Sequence, residues 1–183
     1  MKVLLNLKVI NFVWFQSIWF LAILFQYEYF WLISLLVIGY FIFVPNRQVE
    51  ILTVLPVAMV GCMADIVLAV TGVFNFTSEI STLPIPFWLV SLWIGFAATL
   101  RHSLGYLQNR LIIASILGAI SGPLSYFAGY RFGAVDFPLG VTETLVILSF
   151  VWALIMPASM FFVRRLAAEM LDDDDDSNLA REL

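Results

Sequence analysis

The chain has 183 residues, of which 62% are hydrophobic and only 12% charged, and its mean hydropathy is +0.99. A soluble domain carries about 25% charged residues, so there is too little polar surface here to coat a globule in water. This excludes an ordinary soluble enzyme, a disordered chain and a nucleic-acid binder; with Cys62 the single cysteine, it also excludes a disulfide-built secreted domain. An all-α polytopic membrane protein remains.

A spanning helix needs roughly 17–25 mostly apolar residues. Six segments meet that need, and they set the expected architecture. The first covers 9–25. It follows Lys2 and Lys8 as a signal peptide would, but large aromatic residues run through it and no small-residue cleavage site follows, so it reads as retained. The second, 29–44, comes after the tight link Gln26-Tyr27-Glu28 and is apolar nearly all round, which predicts a lipid-facing helix. The third covers 51–74, after Pro45-Asn46-Arg47-Gln48. The fourth covers 87–107 and the fifth 111–130, with Pro123 expected to kink the latter. The sixth covers 141–163. Residues 1–168 thus form one transmembrane domain, and 169–183 a solvated acidic tail carrying Asp172–Asp176, since blocks of like charge repel and stay solvated.

Seven of the thirteen acidic residues lie in that tail, so the formal charge of −4 says little about the membrane part, where eight basic residues face six acidic ones. With six spans, Lys2, Lys8, Arg47, Arg101, Arg110, Arg164, Arg165 and Arg181 fall on one side and Arg131 alone on the other. The excess of Lys and Arg marks the cytoplasmic side, so both termini are expected there.

Small and polar positions report which faces of membrane helices look inward. On the third span Ala58, Cys62, Asp65, Ala69 and Gly72 recur at helical spacing; on the fourth, Ser91, Gly95, Ala98, His102, Gly105 and Asn109 do the same. A charge at mid-bilayer costs roughly 2.5–3.5 kcal/mol, so Asp65 and the pair Arg101-His102 stand out. Asp65 should lie about 21 Å deep and Arg101 about 9 Å, leaving a gap that a long arginine or a bridging His102 has to close. Three readings compete. The cluster holds the bundle in register; or it binds the polar end of an amphiphile, with Arg101 on an anionic group; or His102 serves as acid or base under the influence of Asp65. As the single histidine, His102 cannot belong to a His-cluster metal site, and neither metal nor cofactor is expected. Asn11, in the first span, and Tyr126, on the small-residue face of the fifth, are secondary ligand-binding candidates.

Trp88 and the run Trp93-Ile94-Gly95-Phe96-Ala97-Ala98-Thr99-Leu100-Arg101-His102-Ser103-Leu104, followed by Gly118-Ala119-Ile120-Ser121-Gly122-Pro123-Leu124-Ser125-Tyr126-Phe127-Ala128-Gly129 and Gly133-Ala134, resemble a family of uncharacterised bacterial inner-membrane proteins, a domain of unknown function covering nearly the whole chain. The resemblance implies a six-helix inner-membrane protein encoded near enzymes similar to cyclopropane-fatty-acid synthases, and it carries no activity or catalytic residue with it. The leading expectation is an accessory protein that holds a lipid or amphiphile in a cleft between spans three, four and five, through Asp65, Arg101, His102, Tyr126 and Asn11. It would work beside a lipid-modifying enzyme or in envelope stress, with membrane lipids as partners. The alternatives are a small lipid-acting membrane enzyme using His102 and a small-solute transporter formed by a homodimer.

Overall fold

The computed structural model describes the backbone of residues 2–77 and 84–181 and the side chains of 7–77 and 84–170. It is all-helical. In chain order the elements are α1 (Lys2–Phe25), α2 (Phe30–Phe43), α3 (Arg47–Val70), the short strand β1 (Asn75–Phe76), α4 (Phe87–Thr99), a single 3-10 turn (Gly105–Leu107), α5 (Leu111–Arg131), strand β2 (Val135–Asp136) and α6 (Val141–Arg181). Backbone of the acidic segment 172–176 continues α6, and its side chains lie outside those described.

Four helices, α1, α3, α5 and α6, are long and apolar enough to cross a membrane. The other two are apolar but short. At 1.5 Å per residue the 14 residues of α2 reach about 21 Å and the 13 of α4 about 20 Å, against a hydrocarbon core of about 30 Å. The outward faces are greasy: Leu35 and Ile38 on α2, Met59 and Met63 on α3 and Ile116 and Ile120 on α5 are all exposed. On a water-soluble protein such a surface would aggregate.

α4 stops well before the expected residue 107. Its last carbonyls are taken up by polar side chains instead of by another helical turn: Asn11 Nδ2 donates to Ala98 O (3.3 Å) and Gln108 Nε2 to Leu100 O (2.9 Å). His102 N and Leu104 N both turn back to Thr99 O, folding residues 100–104 into a compact loop. His102, Gly105 and Asn109, which read as the end of an inward stripe on a long helix, lie in the loop and 3-10 turn beyond α4, where short polar residues such as Ser103 and Asn109 offer the backbone alternatives to the helix. Arg101 and His102 are therefore loop residues beyond the end of α4.

α4 is the axle of the fold. Ten of its thirteen residues are buried, from Trp88 to Thr99, with α1, α2 and α3 packed around it. A helix apolar on every face belongs inside. α5 and α6 form a closely packed antiparallel pair. Two glycines make that possible, since a Cβ on Gly118 would meet the backbone oxygen of Trp152 and one on Gly122 would overlap the Trp152 ring. A third, Gly61 on α3, lies flat against the Trp93 ring of α4. Trp93 and Trp152 stack on each other at 5.1 Å and 8°. Gly61, Trp93, Trp152 and Gly122 thus form one column through α3, α4, α6 and α5. At one end of the bundle β1 pairs antiparallel with β2, Asn75 opposite Asp136 and Phe76 opposite Val135, which ties the link after α3 to the α5–α6 link.

Candidate functional site

Two polar centres and one cleft carry all five sequence candidates. The first centre is at the end of the bundle where α2 finishes, α3 begins and α4 has just ended. Glu50, in the first turn of α3, is buried, with 1% of its surface exposed. Its Oε2 accepts from the Tyr40 hydroxyl of α2 at 2.8 Å. Its Oε1 accepts from Arg101 Nη1 at 2.9 Å and lies 3.0 Å from His102 Nε2. The two side chains keep 25% and 34% of their surface exposed, so the arrangement is a buried carboxylate with a partly exposed guanidinium and imidazole above it. Tyr40 also stacks on Trp14 of α1 at 4.6 Å, so one side of α2 packs into the bundle, while Leu35 and Ile38 on its other side are exposed. Next to this centre Asn11 Oδ1 accepts from Ser103 Oγ at 2.8 Å, which fastens the 100–104 loop to α1.

The second centre is Asp65, 2% exposed, fifteen residues further along α3. That separation is about 22 Å along the helix axis. Asp65 Oδ2 accepts from Trp93 Nε1 at 2.6 Å and Oδ1 from the Tyr126 hydroxyl at 2.5 Å. The structure therefore brings Arg101 with His102, Asn11 with their loop, and Asp65 with Tyr126. Asp65 and His102 do not meet: Val54, Val57, Ala58 and Gly61 fill the inner face of α3 between the two centres.

Glu50, the hub of the first centre, lies one residue outside the third span read from the sequence, where it passes for a solvated end group. The signal that finds it is the stripe Glu50, Val54, Val57, Gly61, Asp65 and Leu68, whose spacing of three and four puts the two acids on one face of α3. Trp93 and Tyr40, as hydrogen-bond donors, have no such signal.

The cleft, about 550 Å³, lies between α1 and α5 over the side of α4, not between spans three, four and five. That is within the roughly 300–1,000 Å³ of small-molecule sites. Phe15 and Trp19 line it from α1, Trp88, Leu92 and Phe96 from α4, and Ser125, Tyr126 and Ala128 from α5, with Trp152 of α6 behind. One hydrogen bond bridges its two rims, Trp19 Nε1 to Ser125 Oγ at 2.7 Å. Asp65 is behind its wall, holding two of the wall residues, Trp93 and Tyr126, by their polar atoms. At the end nearer the Glu50 centre the lining passes into the loop through Thr99, Ser103, Leu104 and Tyr106. The wall is mainly aromatic and aliphatic, with a few polar side chains such as Gln16, Thr99, Ser121 and Ser125. Among the described residues no group of three or more His, Cys, Asp and Glu side chains is placed to hold a metal ion.

The chain belongs to a family described as a protein of unknown function, DUF2878, whose model matches residues 8–158. The match takes in both polar centres and every residue of the cleft, and it ends before the acidic segment. No curated protein and no solved structure matches the chain.

Proposed function

We propose that the protein is an integral protein of the bacterial inner membrane that holds the hydrocarbon portion of a membrane lipid in the α1–α4–α5 cleft, as an accessory to membrane-lipid modification or envelope stress. The observation that carries this reading is the cleft itself: a lateral aromatic groove on a surface already greasy enough for lipid, crossed by a single indole–hydroxyl bond. Along α4, Trp88 to Thr99 measures about 17 Å, close to half of a hydrocarbon core of about 30 Å, so the groove accommodates a chain from one leaflet. In this reading all six helices lie in the membrane, with α2 and α4 reaching only part of the way. Both termini are cytoplasmic, because Lys8, Arg47, Arg101 and Arg110 gather at the Glu50 end while Arg131 stands at the other.

The test is lipid retention in native mass spectrometry. Ala128 is half-buried in the cleft wall, and Ala128→Phe fills the groove without touching either polar centre. The variant should insert and fold, and retain less lipid than the wild type by about tenfold. Equal retention would remove the cleft as the site.

The Glu50–His102 contact favours a second reading, a lipid-acting enzyme in which the carboxylate orients His102 as acid or base. In that case His102→Gln would abolish turnover of a membrane lipid while lipid retention stayed intact.

A further inference from the structure

We infer that Arg101 and His102 form a phosphate-recognition site in the loop beside the cleft, held in place from below by Glu50. The inference rests on the lipid-cleft reading and names the chemistry of the ligand's polar end. Glu50 is fully buried, and its two oxygens are occupied by Tyr40, Arg101 and His102. Arg101 gives Nη1 to this carboxylate; among the described residues its Nε and Nη2 and the Nδ1 of His102 have no partner. Both heads are partly exposed, so these remaining nitrogens are available to an outside acceptor. A guanidinium presents a planar fork of donors whose spacing matches two phosphate oxygens, and a buried carboxylate behind it removes the need to order the side chain on binding. Charge favours an anion as well. The fixed positive charge of Arg101 balances the carboxylate of Glu50, and Lys8 and Arg110 stand exposed at the same end, leaving an excess of positive charge there. Arg101 and His102 do not line the cleft themselves, but Ser103, the next residue of the loop, does, so a phosphate held by the pair would sit beside the end of a chain lying along α4. The chemistry is that of a phosphate ester, which a phospholipid headgroup or a soluble phosphate could supply.

Two arms separate these sources. In the first, the full chain in dodecyl maltoside is offered equal amounts of dioleoyl-phosphatidylglycerol and dioleoylglycerol, and retention is read by native mass spectrometry. The wild type should prefer the phosphate lipid by about tenfold, the worth of one charge-assisted contact. Arg101→Lys keeps the ion pair with Glu50 but loses the fork, and His102→Gln keeps a donor for Glu50 but loses the outward nitrogen; each should erase the preference while dioleoylglycerol is retained as before. In the second arm, inorganic phosphate is titrated into the lipid-free protein and followed by phosphorus NMR. Arg101-dependent binding here without a lipid preference assigns the site to a soluble phosphate. No preference in the first arm with no Arg101-dependent binding in the second overturns the site, as does a preference that survives both substitutions. Ala128→Phe distinguishes the two failures: if it lowers retention of both lipids while Arg101→Lys changes nothing, the cleft stands and the phosphate site falls.

Discussion

Asp65 shows what a buried acid on a membrane helix can be for. Among the described residues it meets no cation, and its two hydrogen bonds go to side chains of the cleft wall, so it aims Trp93 and Tyr126. Asp65→Ala should orphan two buried donors at about 1–3 kcal/mol each, whereas Tyr126→Phe removes one donor and leaves Trp93 on the carboxylate, costing about 1 kcal/mol. Unfolding in detergent followed by tryptophan fluorescence separates the two, and equal losses would contradict this account. Glu50 differs because it anchors charges. Arg101→Ala should cost about 3 kcal/mol by leaving a buried carboxylate without its fixed counter-charge, and Arg101→Lys much less; the same unfolding measurement reads both. Asp65, Arg101 and His102 were legible in the sequence because a charge in an apolar run is conspicuous whatever the fold. Their partners were not. Pairing depends on which helix faces which, and a one-residue error at the start of α3 was enough to hide Glu50.

The helices are located by glycine and indole more than by propensity. Gly61 and Gly122 each lie against an indole face, and the two indoles stack, so α3, α4, α6 and α5 are locked through a single line of contacts. Gly61→Ala or Gly122→Ala would push a methyl into a ring that has nowhere to go. Overpacking of this kind costs about 1–3 kcal/mol, and thermal unfolding should show it at both positions, while Gly39→Ala on α2, where a Cβ meets nothing, should be neutral or stabilising. The number of apolar helices was readable from composition, and so was the Gly118–Gly122 seam of α5. The length of α4 was not. Leu100, Leu104 and Leu107 keep a helical spacing across 100–107, but the helix ends where Asn11 and Gln108, distant or downstream in sequence, satisfy its terminal carbonyls. Pro123 shows the converse case. It lies inside α5 without ending it, and Ser121 Oγ donates to Leu117 O, two residues before the Ala119 carbonyl whose bond the proline removes.

For the whole molecule, the charge asymmetry predicts which end faces the cytoplasm. In a Cys62→Ser background, cysteines placed at Gln48 and Arg110 should be shielded from an impermeant maleimide added outside intact cells, and one at Arg131 should react. Labelling at Gln48 would invert the topology. The short reach of α2 has a consequence of its own. Placed in the bilayer as proposed, its exposed side, with Trp31, Leu35 and Ile38, would meet acyl chains while falling up to about 9 Å short of the hydrocarbon layer. Lipids beside that edge must compress or tilt, at a fraction of a kcal/mol per Å of mismatch. Two copies that turn their pinched edges toward each other share one dimple instead of making two. Such copies would drift together without any dedicated contact between them, and faster in a thick bilayer than in a thin one.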